Sequence, residues 1–121
     1  MHEARKWSRL ALLLQDLLQQ LERQLGFLPP LILFGSWARG TATEESDVDI
    51  GMILPQWNWD TILRAWDVAW EVGLRHNRVI SLIPLTQWEW QHPELVDLAR
   101  NLHREGIPLW PPREKLSTES P

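Results

Sequence analysis

Residues 31–54 read LILFGSWARGTATEESDVDIGMIL. Two apolar runs flank a polar segment. The first, residues 31–35, follows the Pro29–Pro30 pair and reads as a short buried strand that ends on glycine. The second, residues 47–54, reads as a strand whose two-residue period turns Asp47 and Asp49 to one face and Val48 and Ile50 to the other. Between the runs, Ser36 to Arg39 open a short helix, Gly40 breaks it, and the remainder is polar loop.

Two aspartates in strand register are costly on a core face, because an unpaired buried carboxylate opposes folding. Their Cα atoms stand about 6.6 Å apart at a rise of roughly 3.3 Å per residue, so both side chains reach one divalent ion or an ion pair. An all-oxygen donor set suits Mg²⁺ or Mn²⁺ rather than zinc. Gly35 lets a phosphate approach the backbone, and Ser36 adds a hydroxyl and an N–H at a helix start. The metal would orient a triphosphate for attack at its α-phosphorus.

The elements continue on both sides. Residues 5–26 form an amphipathic helix whose Leu10, Leu13, Leu14, Leu17, Leu18, Leu21 and Leu25 recur at three- and four-residue spacing. This stripe covers a core or forms an oligomer or partner interface. Residues 58–75 read as a helix capped by Asn58 or Asp60, with Ile62, Leu63, Trp66, Ala69 and Trp70 as its apolar stripe. Residues 78–85 read as a third strand. Residues 93–104 read as a helix with Pro93 in its first turn and Leu95, Leu98 and Leu102 on one face, and Ile107 to Trp110 as an edge strand or arm. The fold class is α/β (α+β), a mixed three- to four-stranded sheet packed against helices. Residues 1–110 are expected to form a single domain and residues 111–121, with their prolines and polar residues, a disordered tail.

The bulk composition narrows the chemistry. There is no cysteine, which removes thiolate zinc sites and cysteine nucleophiles. The net charge of −4 argues against a broad surface for duplex nucleic acid. No apolar run spans a bilayer, and the first residues, with Glu3, Arg5 and Lys6, lack a signal-peptide pattern, so a cytoplasmic location is expected. Tryptophan is overrepresented, with 9 residues, more than so small a core can hide; it serves packing and protein interfaces rather than a base-stacking groove, for which no basic companion is visible. His76, His92 and His103 have no metal-ligand spacing, and no P-loop motif is present.

Strand, Gly-Ser, short helix, then strand with Asp-x-Asp is a far more specific pattern than any of its parts. With ten residues between Ser36 and Asp47, the run LFGSWARGTATEESDVDIGMIL resembles the signature of the DNA polymerase beta-like superfamily, in its minimal nucleotidyltransferase (MNT) branch. The resemblance implies that Gly35 and Ser36 bind nucleotide phosphates, that Asp47 and Asp49 are the catalytic and metal-binding carboxylates, and that Arg39 supports the site or its phosphate. It also implies a third carboxylate on the following strand, where Ser81 stands instead; Glu71 and Glu89 are out of that register. Small MNT proteins of this kind pair with all-helical HEPN proteins, some in toxin–antitoxin systems in which AMP from ATP is transferred to the toxin. The expectation is therefore Mg²⁺-dependent transfer of AMP from ATP to a partner protein, within a homo- or hetero-oligomer. The alternative is a degenerate MNT subunit that neutralises its partner by contact alone. A structural dimer without nucleotide would make the paired aspartates accidental.

Overall fold

The computed structural model describes residues 2–112. The elements follow one another as α1 (His2–Leu25), β1 (Leu31–Phe34), α2 (Gly35–Arg39), β2 (Val48–Leu54), α3 (Trp59–His76), β3 (Ile80–Thr86), α4 (Gln87–Trp90), α5 (Asp97–Glu105) and β4 (Ile107–Trp110). The sheet order is β3-β2-β1-β4. β1 runs antiparallel to β2 and β4, while β2 and β3 are parallel, as a crossover through α3 allows. Four strands, mixed, packed against helices, bear out the expected class.

Alternation along the central strands divides the interior into two halves. Leu31, Leu33, Ile50, Met52 and Leu82 meet α1 and α3 on one face. Ile32, Ile53 and Leu85 meet Trp90, Ala99 and Leu102 on the other. From α1, Leu10, Leu13, Leu17 and Leu21 are buried, and Leu14, Leu18 and Leu25 pack partly against the same cluster. Burial of each such side chain contributes about 1.5–3 kcal/mol. The leucine stripe is thus core, and the reading of it as a partner interface is corrected.

Three further expectations change. In α3, Leu63, Trp66 and Trp70 are exposed, and the buried face is Ile62, Ala65, Val68, Ala69, Val72 and Gly73. Small residues face the sheet because α3 packs close to β3: a Cβ on Gly73 would stand 2.5 Å from the Arg78 carbonyl oxygen. The last helix starts at Asp97 rather than Pro93, leaving Leu95 exposed. The chain before it is claimed by α4, where Thr86 and Glu89 form a reciprocal capping box. β3 is displaced to Ile80–Thr86, because Asn77 closes α3 in the left-handed region. The expected tail lies, from residue 113 onward, outside the described residues.

Candidate active site

The turn from β1 into α2 places Gly35 against the aspartate strand. Phe34 pairs with Asp49 across β1 and β2, so the next residue folds over that carboxylate. Gly35 is buried with φ +72°, and a Cβ there would come within 2.3 Å of Asp49 Oδ2. Both facts require glycine, one for conformation and one for space. Ser36 follows, half-buried, and its carbonyl accepts from Thr41 N–H at 3.0 Å, which folds the chain back after Gly40.

The loop to Asp47 is tied down from beneath. Lys6 of α1 is buried, donates through Nζ to the Ala42 carbonyl at 2.8 Å and to Glu3 Oε1 at 2.9 Å, and lies 5.6 Å from the Trp37 ring centroid. Trp37, fully buried in α2, donates Nε1–H to the Ser46 carbonyl at 3.4 Å. Ser46 Oγ accepts from Thr43 N–H at 2.8 Å. A buried lysine in the first turns of α1 thus holds the segment that delivers Asp47. Sequence reasoning missed it, although Lys6 continues the core stripe Leu10, Leu13, Leu17, Leu21 at helical spacing.

Asp47 is exposed just before β2, and Asp49 is half-buried within it. Asp49 shares its strand face with Gly51 and Ile53, beneath α5, and stands at the open end of that face. Burial pushes the Asp49 carboxyl above its ordinary range, Asp47 pushes it further, and Arg39 opposes both. Two neighbouring like charges of this kind are an oxygen donor pair whose repulsion a divalent cation would relieve. Arg39, on the rim, is exposed, and its Nη1 donates to Glu105 Oε1 at 3.2 Å.

Ser81 stands directly beside Asp49 in the parallel β2–β3 register. Glu71 is exposed on α3, and Glu89 is engaged by the Thr86 N–H at 2.8 Å. Among the described residues no group of three or more carboxylates, histidines or cysteines could hold a metal. His76 contacts Asp16, and His92 and His103 stack on Trp88 and Trp90, so these three histidines are used structurally. Glu44 pairs with Arg9 at the surface.

The model of the nucleotidyltransferase domain matches residues 14–106. A protein of Methanocaldococcus jannaschii named "Putative protein adenylyltransferase" is 33% identical over 85 residues, covering 70% of this chain and 81% of its own. Among solved structures, a toxin–antitoxin with AMP-PNP superposes with a TM-score of 0.58 at 19% identity, covering 84% of this chain and 75% of that one. A Sulfolobus solfataricus protein, described as a nucleotidyltransferase on a provisional basis, gives a TM-score of 0.56 at 19% identity, covering 95% of this chain and 91% of that one. The two structures establish likeness of fold; the domain match, spanning both the glycine turn and the aspartate strand, places this chain in the nucleotidyltransferase-domain family.

Proposed function

We propose that the chain transfers AMP from ATP to a hydroxyl on a partner protein. The observation that carries the reading is the buried Gly35 turn lying on Asp49, with Asp47 beside it and no room for a side chain between. Asp47 and Asp49 are the residues to hold Mg²⁺ or Mn²⁺, and a bound cation supplies charge neutralisation of the triphosphate. Gly35 admits the phosphates to the backbone, Ser36 donates to them, and Arg39, whose charge acts on Asp49, is the candidate to share theirs. The acceptor hydroxyl oxygen forms a bond to the α-phosphorus and releases its proton to solvent, the bond from that phosphorus to the bridging oxygen breaks, and pyrophosphate leaves with that electron pair.

The name of the archaeal relative supports protein as the acceptor, and the toxin–antitoxin neighbour supports a dedicated partner, for which an all-helical HEPN protein is our candidate. ATP as donor belongs to the cytoplasm, and among the described residues no helix is long and apolar enough to cross a membrane. A single domain over residues 1–110 holds the whole proposed site.

Ser81 favours a second reading. With serine beside Asp49, the acceptor proton has no third carboxylate to receive it, and the subunit would neutralise its partner by contact. Incubation of the complex with Mg²⁺ and either α- or γ-labelled ATP separates the two. Transfer predicts label on the partner from the α position alone, lost in Asp47→Asn and Asp49→Asn. Neutralisation without label, insensitive to both substitutions, establishes the second reading.

A further inference from the structure

One exposed side of α3 carries an apolar stripe, flanked by the charged Asp60, Arg64, Asp67 and Glu71. Trp59, Leu63, Trp66, Trp70 and Leu74 follow at spacings of four and three residues, which places them on one stripe, and all are exposed. Trp59 makes edge contacts with Trp57 and Trp66 at 5.3 and 6.3 Å, so the stripe is continuous at that end. At the other end Trp70 and Leu74 line, with Val79 and Glu45, a cleft of about 360 Å³ beside the loop leading to Asp47. Trp70 and Leu74 are 70% and 65% exposed, values unusual for side chains of this size.

From these exposures and about 250 Å² for an open tryptophan, the five stripe residues present on the order of 600 Å² of surface, and about 800 Å² together with the exposed Trp57 and Val79. The largest patch on a typical monomer is about 300–600 Å². A standard interface takes about 800 Å² from each partner. The adjoining sheet edge is closed to strand addition: Trp66 Nε1 already donates to the Leu82 carbonyl at 2.8 Å, and Pro84 has no N–H to offer.

We propose that a second copy of this chain covers the stripe, the two α3 helices crossing antiparallel about a two-fold axis next to Trp66. The stripe is complementary to itself in that arrangement. Trp59 meets Leu74 of the second copy and Leu63 meets its Trp70, so in these pairs a large ring faces a smaller side chain, while the two Trp66 rings meet each other at the axis. The charged flank agrees. Asp67 and Glu71 are exposed beside the stripe, and Arg64, whose Nη2 lies 3.3 Å from Asp60 Oδ2, falls within about 3 Å along the axis of the copy's Asp67 and Glu71. The same packing brings Trp57 and Trp59 of the second copy toward the Val79 cleft, so each site loop is flanked by its neighbour's aromatic pair.

Light scattering on the purified chain tests this independently of nucleotidyl transfer. The expected mass is twice the 14.2 kDa of the chain across the micromolar range. Leu63→Glu with Trp70→Glu should give monomer with unchanged circular dichroism, since neither side chain is in the core. Arg64→Glu should raise the dissociation constant about tenfold, and adding Glu71→Arg should restore it. A wild-type monomer at every concentration, a dimer indifferent to these changes, or a monomer that uses the stripe only to hold a different protein would each overturn the proposal.

Discussion

Gly35 carries two demands at once, a left-handed backbone and an absent side chain. Gly35→Ala is expected to cost about 1–3 kcal/mol for the strained backbone, with the displacement of Asp49 in addition. Urea unfolding measures the stability, and divalent-ion titration reads the displacement. Asp49 is held in the opposite tension. Its carboxyl is raised, first by burial and then by Asp47, so the folded chain binds that proton more tightly than the unfolded one. Its contribution to stability is present below the ordinary carboxylate range and is lost as pH rises through the raised value. Metal-free Asp49→Asn should therefore melt above the wild type at pH 7, by a small margin because the group is only half-buried, and the advantage should vanish in acid. Thermal melts in chelator at the two pH values check this. A wild type that melts higher at pH 7 would show that the charged group is already compensated by Arg39.

At the scale of elements, two contacts fix α1. Lys6 joins its first turns to the loop before Asp47. Lys6→Met leaves the Ala42 carbonyl without its donor, at a cost of about 1–3 kcal/mol. It should also lower transfer by about tenfold to a hundredfold through misplacement of Asp47, with the fold retained by circular dichroism. Midway along α1, Asp16 receives Arg75 Nε at 3.1 Å and lies 3.0 Å from His76 Nε2, clamping α1 to the end of α3. Burial acts to raise the Asp16 carboxyl, and the hydrogen bonds and charges of His76 and Arg75 outweigh it, leaving it below its ordinary range. That stability is present above the ordinary carboxylate range and is lost as pH falls through the lowered value. Asp16→Asn should cost up to about 1 kcal/mol at pH 7, as partly exposed pairs do, and progressively less in acid as the pH falls through the lowered value. Denaturant titrations at pH 7 and in acid would expose a clamp of no consequence as an unchanged midpoint.

The strand–turn–helix and Asp-x-Asp pattern was legible because local chemistry dictates it: glycine where a chain crosses a carboxylate, alternation where one face must be dry. The leucines of α1 were legible for the same reason. The outer face of α3 was not, because Leu63, Trp66 and Trp70 carry a helical period that is indistinguishable from a core stripe until the small residues Ala65, Ala69 and Gly73 are seen against β3. Lys6 was hidden by its charge, since burial depended on a carbonyl 36 residues away. The break at residues 87–96 depended on the capping box of Thr86 and Glu89, which was not read.

In the whole molecule, sheet register brings together what the chain separates: Phe34 carries Gly35 to Asp49, and Asp49 stands beside Ser81. Two carboxylates and a serine make up the proposed nucleotide and cation site, with no carboxylate at the Ser81 position. On the proposed function, this site forms a bond between AMP and a partner protein. Intact-mass spectrometry of the partner, after incubation of the complex with ATP and Mg²⁺, tests it most directly. The partner should gain the mass of AMP with the wild-type chain and none with Asp49→Asn. An unchanged partner mass with the wild type, or an equal gain with Asp49→Asn, would contradict it.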